Sequence, residues 1–161
     1  MKLIIRKASA RWKAGVRGGS GSVTTDSGVV EQARFESGIP TRKKASTNPM
    51  ELIAAALACS FLVALSKELG KVISPGNIGV SATVTIERLN VGWTVINVHL
   101  QVLATLPNVT QSAFIDATIR AKTNCLISRL LHTNISMNAK LEKWSIGKVT
   151  EKNKETYVTK H

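Results

Sequence analysis

Two sulfurs stand out in this sequence of 161 residues, Cys59 and Cys125, and it contains no third cysteine. A thiolate is a strong nucleophile, and its oxidation runs from sulfenic acid to a disulfide when a second thiol is in reach, or to over-oxidation when none is. Cys59 lies in TNPMELIAAALACSFLVALSKELG, Thr47 to Gly70. Its bland reading is a small apolar filler, because free cysteine is among the most buried residue types. Other chemistries find less to work with. There is no CxxC, and His99, His132 and His161 form no ligand-spaced cluster, which argues against a metal site. Gly-rich RGGSG lacks the spacing and terminal Lys-Ser/Thr of a phosphate loop and reads as a hairpin connection.

The elements that must position the two sulfurs follow from periodicity and punctuation. Before residue 37, SARWKAGV, GSVTT and VVEQARF read as three short strands broken by RGGSG and DSG. SGIPTRKKAS is a polar, basic linker. A long helix then begins at a favoured N-cap, Asn48, with Pro49 in the first helical position and Glu51 placed to complete a capping box. Gly70 is its natural stop. The helix is apolar nearly all round, which marks burial on most sides or packing on a partner subunit. Two strands follow, with Val80, Ala82, Val84 and Ile86 on one face of the first and Ile96, Val98, Leu100 and Val102 on one face of the second. QSAFIDATIRAKTNCLISRLL forms a second helix, interrupted at Asn124 just before Cys125, and NISMNAKLEKW closes as a strand. The order is three strands, helix, two strands, helix, strand: an α+β fold with mostly antiparallel sheet. Residues 1–146 form one domain, and from Gly147 a charged tail reads as a mobile extension.

Composition narrows the setting. A net charge of +12 raises nucleic acid or an acidic partner as a hypothesis. Aromatics at 4% leave few stacking platforms, and the charges are scattered, so a solvated basic surface is the better reading. Leu3 to Ile5 is too short for a secretory h-region, and the apolar run Leu52 to Leu65 falls short of a bilayer span. The expectation is a soluble, cytoplasmic protein with two thiols instead of a structural disulfide.

Several pieces in order carry a family resemblance: ARW with RGGSGSVTTDSGVV, ARFE, TNPMELIAAALACSFLVALS, SATVTIERLNVGWTVINVHL, LPNV and AKTNCLISRLL. Together they resemble the OsmC/Ohr family of organic hydroperoxide reductases, closest to its OsmC branch, over roughly residues 10 to 143. The resemblance implies an intertwined homodimer with antiparallel sheets wrapped around long central helices and a site at the subunit interface. It implies no cofactor. A peroxidatic cysteine on the long helix attacks the peroxide, a second cysteine resolves the sulfenic acid, and a dihydrolipoyl group reduces the disulfide. An arginine serves such a site by stabilising the thiolate and binding the peroxide, and a carboxylate holds that arginine. A mostly apolar pocket favours an alkyl or lipid hydroperoxide.

Carried over by position, Cys125 matches the resolving cysteine, although Leu126 stands where the family has proline. Arg34 in ARFE matches the arginine of the OsmC branch, and Arg17 is its rival from the Ohr branch. Glu51 matches the second of the usual acidic pair, and Met50 occupies the place of the first. On the long helix Ser60 falls at the peroxidatic position and Cys59 sits one residue early, about 100° around the helix. Three resolutions stay open: a π-bulge that turns Cys59 inward, a Cys59–Cys125 pairing from Cys59's own face, or a paralogue that keeps the fold and an apolar pocket without the peroxidase chemistry.

Overall fold

In a computed structural model the described residues are 3–15, 18–36, 46–70 and 76–142. Among them nine elements follow one another: β1 (Ala8–Gly15), β2 (Gly18–Thr25), β3 (Ala33–Phe35), α1 (Pro49–Leu69), β4 (Asn77–Leu89), β5 (Gly92–Thr105), α2 (Gln111–Asn124), α3 (Leu126–Leu130) and β6 (Ile135–Glu142). The fold is α+β, with two three-stranded sheets ordered β1-β2-β3 and β4-β5-β6. Arg17, most of the linker and the tail from Gly147 lie outside the described residues.

α1 begins and ends where its cap residues dictate. The Asn48 side chain accepts from the backbone N–H groups of Met50 and Glu51, and Gly70 closes the other end with φ 62°. Glu51 turns back to accept from the Thr47 hydroxyl at 2.9 Å, where a capping box would have it take the Asn48 N–H. Leu57, Phe61, Ala64, Leu65 and Leu69 form the buried stripe of the helix. That stripe packs with Val98, Leu100, Val102 and Ala104 of β5 and with Phe114, Ala117 and Ala121 of α2. The opposite stripe of Leu52, Ala55, Ala56, Cys59 and Val63 stays exposed, Val63 by 56%. At 21 residues α1 is longer than its central apolar run, and by length and composition alone it is long enough to cross a membrane. Here one face of it is the centre of the core.

The second sheet departs from simple alternation in two places. Ile86 pairs with Val95, and Thr85 with Asn97, so Ile96 is the extra residue of a β-bulge and turns outward, away from the face of Val98 and Leu100. β6 runs parallel to β5, because the α2–α3 crossover returns the chain to the end from which β5 began.

The first sheet is built around a glycine. Trp12, Gly21 and Phe35 lie in one cross-strand row, and the Phe35 ring covers the space a Cβ on Gly21 would need. The ring then reaches Trp12, with centroids 5.7 Å apart. The glycines from Gly18 to Gly21, expected as a turn, therefore belong to β2. Among the described residues this sheet makes no extended packing contact with α1 or the second sheet. It is joined to them by a parallel bridge at Phe35 and Thr47, where Glu36 N–H donates to Thr47 O at 3.0 Å and Thr47 N–H to Arg34 O at 2.9 Å.

Candidate functional site

Cys125 sits where the helical run is broken. Its φ of −66° and ψ of 122° are extended, so it ends α2 and caps α3, and the Ser128 N–H donates to its sulfur at 3.5 Å. The sulfur is buried and lies 3.3 Å from the Ser60 hydroxyl of α1. Burial pushes the Cys125 thiol up. The neighbouring Ser128 hydroxyl, the Ser60 hydroxyl and the backbone N–H groups of Ser128 and Ile127 act the other way, and the net result holds it below the ordinary thiol range. The Ser128 oxygen is itself buried without a partner of ordinary hydrogen-bonding geometry among the described residues.

α1 is a regular α-helix from end to end, so no π-bulge moves Cys59 into the place of Ser60. The residue that faces Cys125 is Ser60. Cys59 is exposed, and both cysteines are free thiols. Cys59 nevertheless shares a groove of about 630 Å³ with Ser60, Val63, Glu68, Asn124 and Leu126. Asn124 and Leu126 flank Cys125 in the chain, so one sulfur opens onto the groove and the other lies behind its wall.

Arg34 and Glu51 are not among the residues lining that groove. Arg34 stands on β3, exposed, 4.0 Å from Glu36 and on the face opposite the Trp12–Phe35 row. Glu51 is two helical turns from Cys59, about 12 Å along the axis. Within one chain Cys59 lines the groove and Cys125 lies behind its wall, whereas these two charged residues are not among those that line it.

A clamp beside the site was not visible in the sequence. Glu68 near the end of α1 accepts from Arg120 Nε and from Asn124 Nδ2, both at 2.8 Å. Asn124 is the residue before Cys125, so the clamp fixes the break in the helix against α1. The hydrogen bonds from Arg120 and then Asn124 hold the Glu68 carboxyl below its ordinary range. A lowered carboxylate stabilises the fold above its unfolded-state range and loses that effect as pH falls through its folded value. The urea-midpoint gap between wild type and Glu68→Gln should therefore be present at pH 7 and narrow below about pH 4. A gap that does not change with pH would mean the clamp does not depend on the charge.

The comparisons with known proteins agree with this architecture. Residues 42–140 match the family model described as OsmC-like protein. The chain is 31% identical over 140 residues to the peroxiredoxin OsmC of Escherichia coli strain K12, covering 86% of this chain and 98% of that one. Among solved structures, an OsmC-like protein of unknown function from Vibrio cholerae superposes with a TM-score of 0.70 at 14% identity, covering 86% of this chain and all of that one. The organic hydroperoxide resistance protein OhrB of Bacillus subtilis gives 0.63 at 20% identity, with coverage of 86% and 100%. These two share the fold. The chain belongs to the OsmC family.

Proposed function

We propose that the chain is a thiol-dependent peroxidase that reduces organic hydroperoxides through Cys59 and Cys125, in defence against oxidative stress. The observation that carries this reading is the Cys125 sulfur, 3.3 Å from Ser60 and backing a groove onto which Cys59 opens. Its relatives are named for peroxiredoxin activity and for resistance to organic hydroperoxides, which supports the same reading. One sulfur takes an oxygen from the peroxide and becomes a sulfenic acid, and the other closes a disulfide with loss of water. On the family pattern the attacking sulfur is the one on α1, Cys59. Val63, Ala64 and Leu126 give the groove an apolar wall for an alkyl group. A dihydrolipoyl-type dithiol returns the disulfide to two thiols in a reducing, cytoplasmic setting.

A second copy of the chain completes the site. The exposed stripe of α1 and the uncovered Trp12–Phe35 face are apolar surfaces that a homodimer would bury. In such a dimer Arg34 and Glu51 reach the groove from the partner, Arg34 to bind the peroxide and Glu51 to orient it. Residues 1–146 make up this unit, and 147–161 are a charged appendage to it.

One observation favours a second reading. Ser60, not a cysteine, faces Cys125, as in a paralogue that keeps the groove for a small hydrophobic ligand without turning it over. Turnover of cumene hydroperoxide with dihydrolipoic acid separates the two. Wild type should consume the peroxide steadily, and Cys125→Ser should lose at least 100-fold. No thiol-dependent consumption by folded wild type would leave the paralogue reading standing.

A further inference from the structure

We infer that the roles of the two sulfurs are reversed relative to the family pattern: Cys125 attacks the peroxide, held as a nucleophile by Ser60 and Ser128, and Cys59 resolves the sulfenic acid. The inference rests on the peroxidase reading above and names the order of its steps.

Three observations carry it. The first is which sulfur has hydrogen-bonding neighbours: the Cys125 thiol donates to the Ser60 hydroxyl, which can donate in return once the sulfur is ionised, and the sulfur accepts from the Ser128 N–H. Cys125 has the Ser60 hydroxyl at 3.3 Å and the Ser128 N–H at 3.5 Å, whereas Cys59 has no hydrogen-bond partner among the described residues. Donors aimed at a sulfur favour its thiolate, which is the reactive form. The second is the buried Ser128 hydroxyl, which has no partner of ordinary geometry among the described residues. A buried donor of this kind is matched by an acceptor that appears during the reaction, either the full thiolate charge or the oxygen that the sulfur acquires. The third is access. Ser60 both lines the groove and bonds the sulfur, so a single small side chain lies between the groove and Cys125. The exposed Cys59 thiol on the same groove is placed to meet the product.

The chemistry balances. The Cys125 thiol gives its proton to solvent, and the thiolate attacks the terminal oxygen of the hydroperoxide. The S–O bond forms as the O–O bond breaks, and the departing alkoxide takes a proton from water to become the alcohol. Sulfur is oxidised to sulfenic acid and the peroxide is reduced. The Cys59 thiol then attacks the Cys125 sulfur, forming the disulfide and releasing the sulfenic oxygen as water. A dithiol of the dihydrolipoyl type reduces that disulfide and is itself oxidised to a cyclic disulfide.

The test uses the purified full chain, one equivalent of cumene hydroperoxide, and dimedone to trap sulfenic acid, with the adduct mapped by mass spectrometry. Circular dichroism checks that each variant is folded. In Cys59→Ser the adduct should form on Cys125 at a rate within about threefold of wild-type oxidation, while steady turnover fails for want of a resolving thiol. In Cys125→Ser oxidation of Cys59 should be at least 100-fold slower. Ser60→Ala removes one donor from the thiolate, so the pH profile of Cys125 oxidation should move to higher pH with both sulfurs still present. A dimedone adduct on Cys59 in Cys125→Ser at the wild-type rate, or an unmoved profile in Ser60→Ala, would overturn the reversed order and leave the peroxidase reading in place. Absence of any peroxide consumption by wild type with the dithiol would remove both.

Discussion

Phe61→Ala is expected to destabilise the protein by about 3–5 kcal/mol, a large share of the roughly 5–15 kcal/mol that holds an ordinary domain folded. Phe61 has no accessible surface and sits at the centre of the buried stripe of α1, against β5 and α2. Its removal takes away the transfer free energy of the ring and leaves a cavity that rigid neighbours fill only in part. The melting temperature should fall by about 10 °C or more. Ile119→Ala on the outer face of α2, where the side chain is 55% exposed, is the control and should change little. A Phe61→Ala loss below about 1 kcal/mol would mean that α1 is not the centre of the core.

Ala56→Arg should separate the two copies of the proposed dimer while leaving each chain folded. Ala56 belongs to the exposed stripe of α1, and none of the described residues covers it. An arginine there is harmless in a monomer. Buried against a second copy without a partner, it costs about 3–5 kcal/mol, or roughly a hundredfold to several thousandfold in dissociation constant. Sedimentation at micromolar concentration should show the wild type at twice the chain mass and the variant at one. Equal masses for the two proteins would mean that α1 is not the seam. Peroxide turnover should fall along with association, because Arg34 and Glu51 would no longer reach the groove.

How much of this was legible in the sequence depended on whether the signal was local. α1 was readable at both ends because Asn48, Pro49 and Gly70 act within one turn of themselves. The break at Asn124–Cys125 was readable for the same reason. Ile96 was misplaced because a bulge shifts an alternating pattern by one residue, and composition does not mark where the shift falls. The glycines of β2 read as a turn because nothing in RGGSG announces the Phe35 ring that covers Gly21. At the site, counting along a regular helix put Ser60 where the structure has it. Its hydrogen bond with Cys125, and the clamp of Glu68 on Arg120 and Asn124, join residues more than fifty positions apart and follow only from tertiary packing.

The bridge at Phe35 and Thr47 has a mechanical consequence. Two backbone hydrogen bonds join an aromatic sheet to the residue just before the Asn48 cap, so the sheet is a lever whose short arm is the first turn of α1. The sheet that carries Trp12 and the first turn of α1 that carries Glu51 are thus tied through the backbone, and one cannot turn against the other without loading those two hydrogen bonds.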